Sequence, residues 1–268
     1  MGRRIGIIAG GGAFPLRALA EARKLGWSCP VAGLRGAAAE ELEREAEAFI
    51  WVGPMEIEKL VSFFQDHSVT EAVMFGKVEH RTIFAGGFTA EAAAVLGLET
   101  PDLQPATLVK SLIETLAARG LKILDPSAFL APYLCPEGVL GKSDGGGTVS
   151  ADAAFGWPLV KALADLDIGQ TMVVKKRAVV AVEGMDGTDE TIRRGASLAG
   201  EGIVVLKTAR TRQDARIDVP MVGLETVRVL IRVKAAALVI EAERVPFFQK
   251  DEALALADEA GLAVLARS

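Results

Sequence analysis

The sequence predicts an α/β protein, in which a Rossmann-like parallel sheet domain is followed by a second α/β domain built on a mixed sheet. Two observations lead to this fold class. Short apolar runs alternate with segments of helical period through the first half of the chain, a pattern typical of a parallel sheet wrapped by helices. In the second half, a basic turn separates two β-branched runs, which indicates a β-hairpin and therefore some antiparallel pairing.

The chain has 268 residues, which is enough for two domains with separate cores. We predict a Rossmann-like N-terminal domain over residues 1–132 and a C-terminal catalytic α/β domain over residues 133–268. We place the connection between them where the composition of the sequence changes, because several prolines there precede the glycine run at residues 145–147.

The first half is predicted to contain five strands with helices between them. Each strand is a short apolar run, and each helix repeats its apolar residues at every third or fourth position. The predicted strands span residues 4–9, 28–33, 49–52, 72–76 and 121–124. The predicted helices span residues 13–25, 37–46, 55–65 and 104–119.

The second half is predicted to mix hairpin strands with further helices. The predicted strands span residues 172–174, 178–183, 202–207 and 236–241. The predicted helices span residues 152–163, 189–198 and 252–260. Residues 227–233 fit a strand by their alternation, or a helix when the residues after them are considered.

The composition excludes several classes of protein. Half of the residues are hydrophobic, yet no run approaches the ~18 apolar residues that a membrane span needs. The net charge of −5 argues against a protein that coats nucleic acid, because that role usually needs a basic face. The two cysteines and two histidines cannot supply a Cys/His zinc site. We therefore expect a cytoplasmic protein without a nucleic-acid partner.

Glycines after the first and fourth predicted strands indicate a ligand-binding rim. Ligands of a parallel sheet lie beyond the carboxyl ends of its strands, and glycine lets backbone amides approach a phosphate or a base. The residues expected at this rim are Gly10, Gly11, Gly12, Phe75, Gly76 and Lys77. The dinucleotide fingerprint is incomplete, since Pro15 stands in place of its third glycine, so an NADP site is the weaker alternative to another nucleotide. The remaining alternative is a turn that needs glycine for its backbone and binds no ligand.

The stretch 182–220 concentrates charged side chains at the ends of short apolar runs. Carboxylates bind hard cations such as Mg2+, while Lys and Arg neutralise phosphate charge. Glycines 184 and 187 permit a tight turn before a helix whose start can hold a phosphate. The alternative is a surface loop with ion pairs. The charged residues are Glu183, Asp186, Asp189, Glu190, Asp214 and Asp218 with Lys207, Arg210, Arg212 and Arg216.

Four segments together resemble the UDP-2,3-diacylglucosamine pyrophosphatases of the LpxI family. They are IAGGGAFP at residues 8–15, LDIGQT at 166–171, AVEGMDGTDE at 181–190 and QDARIDVP at 213–220. The resemblance covers nearly the whole chain. It implies Mg2+-dependent (or Mn2+-dependent) hydrolysis of UDP-2,3-diacylglucosamine to UMP and 2,3-diacylglucosamine 1-phosphate in lipid A biosynthesis, with the substrate held between the two domains.

The resemblance also assigns roles to residues. It places the catalytic group at the Gln213-Asp214 pair, with Asp214 as the first candidate and Asp218 as the second. The expected metal ligands are Asp214, Asp189 and Asp186. The expected substrate-binding residues are Gly10, Gly11, Gly12, Phe75, Gly76, Lys77, Gln170, Lys175, Glu183, Gly184, Asp186, Gly187, Thr188, Asp189, Lys207 and Arg216.

The lipid-linked substrate implies transient contact with the inner membrane surface, so a peripheral position there is one alternative for the cytoplasmic protein. Four phenylalanines are the candidates to contact acyl chains, and the alternative for each is an ordinary place in the core; they are Phe84, Phe88, Phe247 and Phe248. The oligomeric state is left open, with a homodimer as one alternative. Two other functions are considered, an NADP-dependent oxidoreductase and a non-enzymatic nucleotide-sugar-binding protein.

Overall fold

The structure is a computed structural model that describes residues 3–76 and 105–268. Its contacts divide the chain into two compact units. Unit 1 comprises Met1–Phe129 together with Asp214–Asp218, and unit 2 comprises Leu130–Gln213 and Val219–Ser268. The short segment around Asp214 therefore folds with the N-terminal unit although it lies far along the chain.

Unit 1 is built on a sheet in which every described strand pairing is parallel. Its strands are β1 (Gly6–Ala9), β2 (Val31–Leu34), β3 (Phe49–Val52), β4 (Glu71–Phe75) and β5 (Lys122–Ile123), in the order β3-β2-β1-β4-β5. The helices of this part of the chain are α1 (Phe14–Lys24), α2 (Glu41–Glu45), α3 (Ile57–Asp66), α4 (Pro105–Ala118) and α5 (Ser127–Leu130). The predicted parallel sheet is confirmed.

Helix α3 shows how the sequence directs this packing. Its buried residues Ile57, Leu60, Val61 and Phe64 recur at the spacing of one helix face. The ring of Phe64 lies against Gly6 in β1, where an added Cβ would come within 2.5 Å of it. A glycine in the strand is therefore required for the helix to approach the sheet this closely.

Unit 2 is built on a mixed sheet, as predicted. Its strands are β6 (Gly138–Val139), β7 (Thr171–Lys175), β8 (Ala178–Val182), β9 (Val204–Lys207), β10 (Ala237–Glu241) and β11 (Ala263–Arg267), in the order β6-β11-β10-β9-β7-β8. The helices are α6 (Gly146–Asp165), α7 (Thr188–Ala199), α8 (Leu224–Arg232) and α9 (Lys250–Ala260). Strands β9, β10 and β11 are parallel, whereas β7 runs antiparallel to both β8 and β9.

Strand direction brings three polar positions to one edge of this sheet. Thr171 at the start of β7 pairs with Lys207 at the end of β9, and Lys207 lies beside Ile240 in β10, one residue before Glu241. We call this edge, marked by Thr171, Lys207 and Glu241, the carboxyl edge of unit 2. Ligands of such sheets bind beyond the carboxyl ends of the parallel strands.

One segment differs from the sequence-based expectation, and another, left open between strand and helix, is a helix. Helix α6 begins at Gly146, so the glycine run that was placed at the domain connection lies at the start of this helix, where Gly145 adopts a left-handed φ of 73°. Residues 227–233, for which strand and helix were both considered, lie largely in α8.

In the part of the chain that the structure describes, no helix combines the length and the apolar character needed to cross a bilayer.

Candidate functional site

The glycine turn of unit 1 forms at the carboxyl ends of β1 and β4, as the sequence predicts. The Gly10 N–H donates to the Phe75 carbonyl at 2.7 Å. Gly76 has a φ of 93°, and a Cβ added there would come within 2.6 Å of the Gly11 carbonyl oxygen. Only glycine fits such a position, so the two turns are packed backbone to backbone.

This turn offers backbone groups rather than side chains to a ligand. Gly12 is exposed with a φ of 96°, and α1 begins two residues later without a side-chain cap. A helix start without a side-chain cap favours an anion. The Phe75 ring, by contrast, is buried and packs edge-on against Phe14 at 4.7 Å between ring centroids. Phe75 therefore contributes its carbonyl, and not its side chain, to the turn. The other residue expected at this rim, Lys77, lies outside the described residues.

The predicted catalytic segment is a compact turn that begins at Asp214. The Asp214 backbone carbonyl accepts from the N–H groups of Ile217 and Asp218 at 3.0 and 3.3 Å. Ile217 packs against the apolar core of unit 1. Just before the turn, the Gln213 side-chain oxygen accepts from the backbone N–H of Arg210 at 3.0 Å.

Asp214 forms a two-point ion pair with Arg216. Arg216 Nε donates to Asp214 Oδ1 at 2.9 Å and Nη2 donates to Oδ2 at 2.7 Å, while the Arg216 backbone N–H also reaches Oδ1 at 3.1 Å. These hydrogen bonds from Arg216 lower the pKa of Asp214 below its ordinary value, although partial burial opposes the shift. The ion pair fixes the orientation of the Asp214 carboxylate, and the Asp214 side chain remains 35% exposed.

A buried polar cluster occupies the carboxyl edge of unit 2. Lys207 is 5% exposed, and its Nζ donates to Thr188 Oγ1 at 2.6 Å and to Thr171 Oγ1 at 3.1 Å. The Glu183 carboxylate lies 3.8 Å from Lys207 and accepts from Thr188 Oγ1 at 2.8 Å. The Lys207 charge is thus compensated inside the protein, because a buried ammonium needs a partner.

The cluster keeps Glu183 ionised. Burial alone would raise the pKa of Glu183, but the adjacent Lys207 ammonium and hydrogen bonds from Thr171, Thr188 and the Gln170 N–H outweigh it and lower the pKa. The Gln170 N–H donates to Glu183 Oε2 at 3.1 Å, and the Gln170 carbonyl accepts from the Thr208 N–H at 3.0 Å. The cluster therefore ties together the two loops that precede β7 and follow β8.

The loop from Gly184 to Thr188 is shaped by Asp186. Its carboxylate accepts from the Gly184 N–H at 2.9 Å and from Arg194 Nη2 at 2.8 Å. Burial raises the pKa of Asp186, but these hydrogen bonds and the Arg194 charge lower it overall. Gly187, with a φ of 79°, precedes α7, and Asp189 lies in the first turn of that helix. The loop therefore places backbone N–H groups beside a helix start.

Some predicted residues lie elsewhere. Lys175 ends β7 at the opposite edge of the sheet from Lys207, where its Nζ donates to the carbonyls of Ala199 and Glu201 at 2.6 Å each. Phe247 and Phe248 belong to the buried core rather than to an exposed apolar surface. Phe84 and Phe88 lie outside the described residues.

Comparison with known proteins identifies the family. Residues 4–133 match the model of the LpxI N-terminal domain, and residues 136–265 match the model of the LpxI C-terminal domain. The chain belongs to the LpxI family. A relative from Caulobacter vibrioides named UDP-2,3-diacylglucosamine pyrophosphatase LpxI is 29% identical over 278 residues, which cover 98% of this chain and 97% of the relative.

Among solved structures, the biotin carboxylase complex with beta-gamma-ATP from Campylobacter jejuni is similar at 13% identity with a TM-score of 0.23. The match covers 72% of this LpxI family member and 42% of the biotin carboxylase chain, so this chain spans less than half of that protein. A likeness this low carries no argument about the fold or the function.

Two of the three carboxylates expected to bind a metal in this LpxI family member are engaged by arginines, and the third, Asp189, lies in the first turn of α7. Asp214 pairs with Arg216, and Asp186 pairs with Arg194. Within residues 3–76 and 105–268, no group of three or more His, Cys, Asp or Glu side chains is arranged to hold a metal ion. The described side chains therefore do not form a ready-made metal centre, and the Mg2+ assignment stays a prediction.

Sequence reasoning missed a second buried cluster in this LpxI family member. Glu241 ends β10, is 7% exposed, and accepts from Lys161 Nζ at 2.9 Å and from Thr208 Oγ1 at 2.5 Å. An acidic residue at the carboxyl end of a buried strand was a usable signal, because that is where sites of such sheets lie. The identity of its partners was hidden, since Lys161 is 80 residues away in sequence.

Proposed function

We propose that this protein hydrolyses the diphosphate of UDP-2,3-diacylglucosamine, giving UMP and 2,3-diacylglucosamine 1-phosphate in lipid A biosynthesis. The reaction joins the oxygen of one water molecule to phosphorus and breaks one bond between phosphorus and the bridging oxygen. The observation that supports this best is the match to both LpxI domains in order, together with a relative of that activity aligned over 98% of the chain.

The chemistry centres on Asp214 and Arg216. Their side chains are 35% and 40% exposed, so a ligand can reach both. A guanidinium pairs with phosphate oxygens as readily as with a carboxylate, so Arg216 neutralises charge on the diphosphate. Asp214 has a lowered pKa, which makes it a weak base but a dependable carboxylate at neutral pH. Its role is therefore to orient the attacking water or to hold a cation.

Two further elements supply binding groups in the proposal. The glycine turn at Gly10, Gly11, Gly12 and Gly76 presents backbone amides to a phosphate or to uridine. The loop from Gly184 to Thr188 presents the start of α7, whose helix dipole favours negative charge. The buried Lys207 cluster holds that loop in place rather than contacting the ligand directly.

Dependence on Mg2+ (or Mn2+) is part of the proposal. Mg2+ is commonly held by one or two carboxylates plus substrate phosphates, so it does not require an all-protein cage. The prediction is that the cation enters with the substrate, with Asp214 as its main protein ligand. A cytoplasmic protein that contacts the inner membrane surface to collect the acylated substrate also belongs to the proposal.

The proposal is tested by measuring UMP release from UDP-2,3-diacylglucosamine for the wild type, Asp214→Ala and the control Asp66→Ala. Asp66 is an exposed acid at the end of α3, outside the proposed site. We expect the wild type and Asp66→Ala to release UMP, and Asp214→Ala to bind the substrate without turnover. If the wild type binds the substrate but releases no UMP, the protein is a binding protein and the proposed hydrolase activity is wrong.

A further inference from the structure

The loop from Thr208 to Gln213 carries no regular secondary structure, yet side chains of unit 2 hold most of it in place. It begins after β9 and leads directly into Asp214. A loop without its own backbone ladder keeps one course only if other groups satisfy its N–H and C=O groups. Here those groups come from α6 and from the end of β10.

Glu241 holds the start of the loop. Its Oε2 accepts from Thr208 Oγ1 at 2.5 Å and from the Ala209 N–H at 2.8 Å. Thr208 and Ala209 are both buried, so these bonds are shielded from solvent. Because the carboxylate accepts hydrogen bonds from both a backbone N–H and a side-chain hydroxyl, it fixes the direction of the backbone and the orientation of its peptide groups at this point.

Lys161 completes the same arrangement from α6. Its Nζ donates to Glu241 Oε1 and Oε2 at 2.9 and 3.2 Å, and to the Ala209 carbonyl at 2.9 Å. The peptide groups on both sides of Ala209 are therefore bound by the two members of one ion pair. Glu241 also lies 3.6 Å from Arg244 Nε, so its carboxylate has a second cationic partner. Removing the Glu241 charge leaves the mostly buried Lys161 ammonium without its carboxylate, which is destabilising.

Further contacts continue along the loop. Asp165 at the end of α6 accepts from the Thr211 N–H and Oγ1 at 2.6 and 2.7 Å. Arg210 forms an ion pair with Asp167, and Arg244 donates to the Arg210 carbonyl. Every residue from Thr208 to Thr211 is thus held by a side chain from outside the loop.

From these contacts we propose that Glu241, supported by Lys161, is a positioning residue for the hydrolysis: with the neighbouring contacts it fixes the course of residues 208–211, the stretch of chain that leads into Gln213 and Asp214. This inference rests on the proposed function of Asp214. Glu241 itself does not contact the substrate. It acts through the loop, because a displacement of about 1 Å at a reacting group can lower a rate by about 100-fold.

Asp152 provides a matched control. It is also a buried acid of unit 2, lies on α6 like Lys161, and accepts from backbone N–H groups, those of Lys176 at 2.9 Å and Arg177 at 2.6 Å. Those N–H groups belong to the turn between β7 and β8, at the opposite edge of the sheet from Glu241. Asp152→Asn therefore removes a comparable buried carboxylate without touching the loop that leads to Asp214.

The test compares the wild type, Glu241→Gln and Asp152→Asn by UMP release and by amide hydrogen exchange. For Glu241→Gln we expect kcat to fall between about 10-fold and 100-fold with KM nearly unchanged, and the Ala209 amide to exchange faster. Asp152→Asn should keep kcat and the exchange rate of Ala209. An unchanged kcat in Glu241→Gln, or an equal fall in Asp152→Asn, overturns the inference.

Different results would overturn the hydrolase activity and the positioning role of Glu241. If the wild type releases no UMP, the proposed function is wrong, and unchanged exchange at Ala209 in Glu241→Gln would independently overturn the positioning role. If Glu241→Gln does not fold, the double variant Lys161→Met with Glu241→Gln removes both charges. We expect it to fold and to show the same loss of kcat, and wild-type kcat in that variant would overturn the inference.

Discussion

Arg216 donates a hydrogen bond to each carboxylate oxygen of Asp214, from Nε to Oδ1 at 2.9 Å and from Nη2 to Oδ2 at 2.7 Å. The pair lies on a five-residue turn that folds with the N-terminal unit while its neighbours on both sides fold with the C-terminal unit. The geometry orients the carboxylate and keeps it ionised. In the proposed function, substrate phosphates would compete with Asp214 for the same guanidinium.

The first prediction concerns Arg216 and pH. Arg216 lowers the pKa of Asp214, so the active carboxylate is protonated only below its ordinary range and the wild type keeps activity in mild acid. In Arg216→Gln the pKa of Asp214 returns upward, and the acid limb of the kcat/KM profile moves to higher pH. At neutral pH, kcat/KM should fall by about 10-fold to 100-fold, because a charged hydrogen bond to phosphate is lost.

The measurement is a pH profile of UMP release for both proteins. Arg228→Gln, which removes an exposed arginine of α8 from an ion pair with Glu225, is the control and should leave the profile in place. An acid limb at the same pH in wild type and Arg216→Gln would show that Arg216 does not set the ionisation of Asp214.

The second prediction concerns the stability of unit 2. The Glu183 pKa is lower in the folded state than in the unfolded chain, so its contribution is fully present above the unfolded pKa and is lost as the pH falls through the folded pKa. At pH 7, Glu183→Gln should lower the free energy of unfolding by about 3 kcal/mol, because Lys207 is left buried beside a neutral amide.

Urea unfolding at several pH values checks this expectation. The difference between wild type and Glu183→Gln should shrink as the medium becomes acidic. The double variant Glu183→Gln with Lys207→Met should recover part of the loss at pH 7, since no buried charge then lacks a partner. A difference that stays constant down to acidic pH would contradict the assigned ion pair.

The third prediction compares two glycines with left-handed φ. Gly76 has a φ of 93° and a backbone oxygen 2.6 Å from the site of an added Cβ, whereas Gly36 has a φ of 74° and open space. Gly36→Ala should lower stability by about 1 kcal/mol from backbone strain alone. Gly76→Ala should cost about 1–3 kcal/mol more, because the glycine turn must also shift.

Thermal unfolding and substrate titration separate the two effects. We expect weaker substrate binding only in Gly76→Ala, because that turn is proposed to bind substrate. Equal stability and equal affinity for the two variants would show that the close packing of Gly76 on Gly11 has no role in either.

The fourth prediction concerns the divalent cation. UMP release should stop in EDTA and return with Mg2+ or Mn2+, since carboxylates and substrate phosphates together bind such ions. Without substrate, the protein should bind Mg2+ weakly, because no group of acids in the described part of the chain is arranged as a metal site. Isothermal titration with and without a non-hydrolysable nucleotide measures both, and full activity in EDTA would contradict the expected dependence.

Alternation of apolar runs was sufficient to predict the parallel sheet of unit 1, because each strand and helix is encoded locally by its own period. Strand direction is not encoded in this way. Lys175, in the predicted hairpin turn, and Lys207, at a predicted strand end, were both expected to bind substrate, but β7 runs antiparallel to β9, so the two side chains lie at opposite edges of the sheet. The same limit applied to residues 227–233, whose short apolar run fits both periods until α8 is seen packed in the core.

The rest of the candidate site depends on contacts between residues that are distant in the chain. Nothing in the local sequence relates Lys161 to Glu241, or assigns Ile217 to the core of the N-terminal unit. The glycine turn was predictable because parallel pairing of β1 with β4 necessarily brings Gly10 and Phe75 together. The glycine turn at the ends of β1 and β4 was therefore predictable, whereas Glu241 and the side chains that hold the connecting loops were not.

The most direct test of the central claim is the initial rate of UMP formation from UDP-2,3-diacylglucosamine with Mg2+, measured for the wild type and Asp214→Asn. The substitution keeps the shape of the side chain and removes its charge. We predict steady UMP release by the wild type and a loss of at least about 100-fold in Asp214→Asn, comparable to removing one group that stabilises a transition state. Equal rates for the two proteins would contradict the catalytic role of Asp214.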